Sequence, residues 1–366
     1  MKKIGIVTWY DRGFNYGTAL QAYSTQTYLE NIGYTCELIN YKPDKKNKKK
    51  KIKETLKKMY LMIFKHKVYK KWKKMKIWIK NNIHESELIT DYEKLRESAK
   101  KYDAFICGSD QIWNNAKNII DPFNYLQFVD KEKRIAYAPS IARDYIANEV
   151  KEKFTEYVQE IKYLSVREEK GAELIKECTG REAKVVIDPT FLINKDIWKK
   201  SLLITDKIID QPYIFVYFLS KNEKNYVEVE KIAKDQNLKI VTTPMIYDNN
   251  KLAIEADCTD FLNLIKNAKY IATDSFHGVA FSIILEKDFV VFKRFKDNFK
   301  QTQNSRIYNI LEKLNLNSRL VTNENRITNI LERNIDYNAI KEKLNIIVED
   351  SKNYLITALE NVSKNK

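Results

Sequence analysis

The stretch KYIATDSFHGVAFSIILEK, Lys269 to Lys287, decides the fold, because it reads as a buried strand turning directly into a helix. Tyr270 to Ala272 is short and apolar with β-branched Ile271, and Asp274 or Ser275 can cap a helix. Val279, Phe281, Ile283, Ile284 and Leu285 then give that helix an apolar body. His277 falls in the first turn, where backbone N–H groups lack intrahelical partners and the helix dipole adds positive potential. Such a junction favours phosphate or carboxylate. A capped helix with a histidine packed beside it is the plain alternative, since strand-to-helix loops recur throughout α/β folds.

Outward from this junction the alternation repeats. Strand Tyr213 to Leu219, a helix from Glu223 to Gln236, strand Lys239 to Thr243 and a helix from Asp260 to Ala268 precede it. Strand Phe289 to Lys293, a helix from Ser305 to Leu316, a strand near Leu320 and a helix ending at Arg333 follow. The first half reads the same way. Ile4 to Trp9 is a strand, Thr18 to Asn31 a helix closed by Gly33, and Thr35 to Tyr41 the next strand, a βαβ unit that predicts a parallel sheet. Strands Tyr102 to Gly108, Arg134 to Ala138, Tyr163 to Arg167 and Lys184 to Asp188 continue it, until Pro189 stops the last and a connection runs to Pro212. The expected class is α/β: two Rossmann-like doubly wound domains facing a cleft. The first is 1–190, carrying a basic helical insertion at 42–100, the second is 191–335, and a long helix closes the chain over 336–366.

Composition narrows the classes of function. A chain of 366 residues with 44% apolar residues has material for two cores, and 8 Gly with 6 Pro exclude a fibrous or disordered chain. The four cysteines, Cys36, Cys107, Cys178 and Cys258, stand apart without metal-ligand spacing, which fits a reduced cytoplasmic compartment and no metal. The N-terminal apolar run is too short for a signal-peptide core, and no segment approaches a membrane span. The net charge of +16 is local: Lys42 to Lys80 holds 18 lysines against Asp44 and Glu54, an excess equal to that of the whole chain. With Leu56, Met59, Tyr60, Ile63, Phe64, Trp72 and Trp78 interleaved, 42–80 is expected either to lie on an anionic membrane as a peripheral element or to be a solvated helical excursion. No nucleic-acid-binding fold accompanies it, so nucleic acid is not an expected partner.

Three clusters carry candidate chemistry. FNYGTALQ has one glycine at a helix start, not a dinucleotide fingerprint, yet Asn15 and Gly17 can line the cleft. In GSDQIWN, Gly108 lets the backbone turn, Ser109, Asp110, Gln111 and Asn114 offer hydrogen bonds, and Trp113 offers a face for a sugar ring. Arg167 ends a strand in SVRE, where α/β sheets collect ligands, and Arg294 and Arg306 fall near loops of the second half. His66 and His84 lie within and just beyond the basic segment, which leaves His277 as the catalytic candidate; a histidine beside arginines suits proton transfer next to a bound anion.

In order along the chain, NYGTALQAY (15–23), GSDQIWN (108–114), YAPSIA (137–142), SVREEKG (165–171), VIDPTFLI (186–193), TDSFHG (273–278) and NSRI (304–307) resemble the successive blocks of the polysaccharide pyruvyltransferases. The resemblance implies a glycosyltransferase-B-like fold. It also implies transfer of pyruvate from phosphoenolpyruvate to two hydroxyls of a sugar in a cell-surface polysaccharide or its lipid-linked precursor, leaving a cyclic ketal and phosphate. His277 or Asp110 would be the acid or base. Arg167, Asp274, Ser275, Gly278, Arg294 and Arg306 would hold the donor, and Asn15, Gly17, Ser109, Gln111, Trp113 and Asn114 the acceptor, with no cofactor beyond the donor substrate. In better-characterised branches an arginine stands two places before the histidine, where this chain has Ser275. A nucleotide-sugar glycosyltransferase and a non-catalytic, membrane-docked glycan-binding protein are the competing expectations.

Overall fold

In the computed structural model of the chain, residues 2–11, 15–43, 48–116, 118–202, 209–221, 223–245, 253–295 and 304–364 are described. Residues 12–14 of the first polar loop, 44–47 of the basic segment and 203–208 of the connection to Pro212 lie outside them. Among the described residues there are ten short strands: β1 Lys3–Val7, β2 Thr35–Leu38, β3 Ala104–Cys107, β4 Arg134–Ala136, β5 Ser165–Val166, β6 Lys184–Val185, β7 Tyr213–Tyr217, β8 Lys239–Thr242, β9 Tyr270–Thr273 and β10 Phe289–Val291. They form two parallel sheets, ordered β2-β1-β3-β4 and β10-β9-β7-β8. The β5-β6 pair is joined to the edge of the first through a parallel bridge from Ile135 to Tyr163. The strand expected near Leu320 reduces to one bridge to Val291, and no helix starts at Asp110, where the backbone enters the left-handed region at φ 58°.

The two halves are not independent bodies. One continuous apolar core runs from Ile4 and Leu20 of the first sheet layer to Phe215, Phe261 and Phe281 of the second. The expected connection after Pro189 contains a short helix, Lys195–Ser201, capped by Asn194. Its Trp198 is fully buried between Tyr23 of the first half and Phe281 of the second, with centroids at 5.7 and 5.1 Å. The helix Tyr337–Lys364 returns to the first sheet. Tyr354 Oη donates to Ala136 O (3.1 Å), and Ser351 Oγ accepts from the Ile187 N–H (3.0 Å).

The basic segment divides into two helices with different fates. The second, His66–Asn82, turns one face toward the second half. Lys67 Nζ donates to Ala253 O (3.1 Å), Lys74 pairs with Asp260 (3.1 Å), and Trp78 Nε1 donates to Thr259 Oγ1 (3.0 Å). Lys71 is fully buried between them, its ammonium 3.4 Å from both Thr243 Oγ1 and Pro244 O and 4.3 Å from the ring centroid of Tyr16. These positions recur every three or four residues, so a single stripe is spent as a clasp between the halves. The first helix, Lys48–Phe64, buries Leu61 but leaves Leu56, Met59, Tyr60, Met62, Ile63 and Phe64 exposed. Among the described residues no helix is long and apolar enough to cross a membrane.

Candidate active site

The opening junction folds as its sequence demands. Ser275 adopts an extended conformation and caps the helix Phe276–Ile284, its Oγ accepting from the Gly278 N–H. Thr273 Oγ1 accepts from the Ser275 N–H (3.0 Å) and donates to Tyr217 O (2.8 Å), locking the turn to β7. A side chain at Gly278 would sit 2.2 Å from Thr273 Oγ1, so only glycine fits. His277 is thereby held in the first turn, 4% exposed.

Facing it is the other helix start, Tyr16–Asn31, capped by Asn15, whose Oδ1 accepts from the Gly17 N–H (3.1 Å). A Cβ on Gly17 would fall 2.0 Å from His277 Nδ1. The two halves therefore meet, helix start to helix start, at this imidazole.

Around it lies a buried set of charges. Arg167 follows β5, and its Nη1 reaches Asp188 Oδ2 at 2.5 Å while its guanidinium lies 4.6 Å from the Phe276 centroid. Asp188 also accepts from Ser109 Oγ (3.0 Å), the Thr190 N–H (3.0 Å) and Thr190 Oγ1 (2.8 Å), and its Oδ2 stands 3.9 Å from His277 Nε2. Burial works to raise the Asp188 pKa, but Arg167, His277 and these hydrogen bonds hold it below the usual carboxylate value. Glu168 Oε1 accepts from Ser140 Oγ and from the N–H groups of Ile141 and Ala142, fixing the turn behind Arg167. Asp110 accepts from Thr18 Oγ1 (3.0 Å). Arg306, in the helix Ser305–Lys313, meets Gln111, whose amide oxygen, turned toward it, accepts from Nη2 and Nη1 at 2.7 and 2.9 Å.

This arrangement balances its charges but leaves hydrogen-bonding capacity unfilled. Burial first, then the nearby charges of Arg167 and Arg294, push the Arg306 pKa down to about 9. Burial likewise lowers the His277 pKa against the pull of Asp188 and Asp110, leaving a neutral imidazole at pH 7. Arg167 Nε and Nη2, Arg294 Nε, Arg306 Nε and His277 Nε2 are all buried without a hydrogen-bond partner. Orphaned donors of this kind are costly unless a ligand or water satisfies them. On their inner side Arg167 and Arg306 line a hollow of about 20 Å³, room for about one water.

Of the expected site residues, Gly17, Asp110, Gln111, Arg167, His277, Arg294 and Arg306 belong to this region by contact or by the charges they exert on one another. Others have different work. Trp113 is 1% exposed, stacked on Tyr125 at 5.1 Å, with Nε1 donating to Asn124 O; it offers no face to a sugar, because the short turn packs it inward. Ser109 is fully buried, donating to Ala138 O and Asp188. Asp274 is committed to the Leu219 and Ser220 N–H groups and Ser220 Oγ, so it fixes the loop after β7. Ser275 and Gly278 shape the turn, and Asn114 Oδ1 accepts from the Ala116 N–H. Asp188 and Glu168 were missed as site residues. Their signal was present in the sequence, a carboxylate at each of two successive strand ends beside Arg167.

A family model for polysaccharide pyruvyl transferases matches residues 15–294. The chain belongs to the polysaccharide pyruvyl transferase family. Membership makes it a transferase, and its fold is glycosyltransferase-B-like. A UDP-N-acetylglucosamine 2-epimerase from Rickettsia bellii is similar over 100% of this chain and 98% of that one, at 10% identity and a TM-score of 0.54. A putative UDP-N-acetylglucosamine 2-epimerase from Listeria monocytogenes is similar over 100% and 98%, at 10% identity and 0.51. The wall teichoic acid polymerase TagF is similar over 100% and 88%, also at 10% identity and 0.51. No curated protein sequence matches the chain.

Proposed function

We propose that this pyruvyl transferase moves pyruvate from phosphoenolpyruvate to two hydroxyls of one sugar in a glycan, free or lipid-linked, forming a cyclic ketal and releasing phosphate. The observation that carries the reading is the set of orphaned guanidinium nitrogens on Arg167 and Arg306, whose charges reach His277, and on Arg294, whose charge reaches Arg306. Arg167, Arg294 and Arg306 present donors to a phosphate and a carboxylate, and planar guanidinium forks suit both. They also supply the positive charge absent at Ser275.

The first sugar hydroxyl gives its proton to His277, which passes it to the methylene as the sugar oxygen bonds to the enol carbon. The bond from that carbon to the phosphate oxygen then breaks, and a second hydroxyl closes the ring, its proton leaving with phosphate. His277 is neutral in the free protein, suited to accept a hydroxyl proton, and a bound dianion raises its pKa so that it can hand a proton on. Asp110, whose charge favours a protonated His277, is assigned to the acceptor in this reading together with Asn15 and Gln111. Attachment to the inner, cytoplasmic face of an anionic membrane through 42–80 belongs to the same reading.

Thermal shifts test the donor. A ligand at a hundred times its Kd stabilises by roughly 2.7 kcal/mol. Phosphoenolpyruvate is expected to raise the melting midpoint while uridine and guanosine diphosphates leave it unchanged; the reverse pattern would move the chain to nucleotide-sugar chemistry.

A further inference from the structure

The two helices of the lysine-rich insertion share a composition but not a role. In the helix His66–Asn82 the stripe Lys67, Lys71, Lys74, Met75 and Trp78 is consumed by the second half of the molecule. In the helix Lys48–Phe64, Leu61 is buried, but Leu56, Met59, Tyr60, Ile63 and Phe64 are 59, 49, 48, 60 and 69% exposed. Those five positions fall at i, i+3, i+4, i+7 and i+8, so they form one outward face. Solvated faces do not concentrate large apolar side chains in this way, and a contiguous patch marks an interaction surface.

We propose that the helix Lys48–Phe64 alone is the membrane-contact element of this chain, laying that face into the interface of an anionic bilayer while the helix His66–Asn82 holds it to the body. Charge selects the occupant. Lys57 and Lys58 are exposed beside the face, and the sequence from Lys48 to Lys53 is five lysines and one isoleucine. A second copy would bring the same lysines together, whereas anionic headgroups neutralise them, each contributing about 1 kcal/mol near the surface. Tyr60 and Phe64, whose rings lie 5.4 Å apart, suit the headgroup boundary. The clasp also fixes orientation. Lys76 of the second helix pairs with Asp11, just beyond the carboxyl end of β1, so the insertion is tied to the end of the first sheet from which the site residues rise. This deepens the proposed function by naming the surface at which the acceptor is met, but vesicle binding requires no turnover.

The test uses the full chain without donor or acceptor, sedimented with vesicles of phosphatidylcholine alone or mixed with phosphatidylglycerol. Binding is expected only to the anionic vesicles. Leu56→Gln/Ile63→Gln/Phe64→Gln should weaken it by at least about tenfold, and Lys57→Gln/Lys58→Gln should weaken it and flatten its salt dependence. Because all five side chains are exposed, melting midpoints should be unchanged, and Phe64→Gln alone should give a smaller loss in the same direction. Equal binding to both vesicle types, or unaltered binding of the triple variant, would overturn the proposal. So would a wild-type dimer that the triple variant dissolves, which would make the face a protein interface. Failure of phosphoenolpyruvate turnover in the same preparation would speak against the proposed reaction and leave this result standing.

Discussion

Replacing Lys71 by methionine should stabilise the protein. The ammonium is fully buried, its hydrogen-bond contacts are long, and no carboxylate among the described residues pairs with it. Burial lowers its pKa from 10.5 to about 7. The unfolded chain therefore binds one more proton across that window, and stability must rise with pH from about 7 toward 10.5 and be lost as pH falls through it. At neutral pH the displacement corresponds to roughly 4 kcal/mol of lost stability. Methionine removes this penalty and keeps the volume, giving up a contact with the Tyr16 ring of about 0.5–2 kcal/mol. The expected net gain is about 2–3 kcal/mol at pH 7, shrinking by up to about 1.4 kcal/mol per pH unit above that. Urea midpoints of both proteins at pH 7 and 9 measure this, since all other titrating groups cancel in the difference. A less stable variant, or a difference that does not change with pH, would refute the burial argument. The same cost explains why an unpaired lysine is rarely tolerated in such a place.

Three further outcomes follow from the site. Gly17→Ala puts a carbon 2.0 Å from His277 Nδ1, so turnover should collapse together with a loss of about 1–3 kcal/mol in a denaturation midpoint. Burial lowers the His277 pKa, so the acidic limb of kcat/KM, which reports the free protein, should fall below the ordinary 6.5; a limb above it would contradict the placement of the ring. Trp113→Ala should cost about 3–5 kcal/mol of stability, because the indole is a core residue stacked on Tyr125. Lowered acceptor affinity with unchanged stability would restore it to the cleft.

The repeated strand-to-helix alternation made the two parallel sheets legible, and the family blocks led to the residues that converge. What the sequence hid was direction. GSDQIWN names hydrogen-bonding groups and an aromatic ring, but the left-handed turn at Asp110 sends Trp113 inward and leaves Asp110 and Gln111 facing the arginines. In sequence Asp274 resembles part of an anion site, whereas in the fold its oxygens accept from backbone N–H groups. In sequence Asp188 is a strand end before a proline, and nothing local tells that Arg167, Ser109 and His277 close on it from other elements. The basic segment reads as one unit in sequence because composition does not distinguish a stripe that meets a partner from one that does not; Trp78 and Phe64 differ in what faces them.

The central claim is that the arginines around His277 hold phosphoenolpyruvate for ketal formation. The most direct measurement is carbon NMR of a reaction with phosphoenolpyruvate labelled at its second carbon, a hexose-bearing glycan acceptor and the full chain. The account predicts that the label moves to a quaternary ketal carbon in step with phosphate release, in the wild type and not in His277→Ala. Phosphate release without a ketal signal, or an equal ketal yield from His277→Ala, would contradict it.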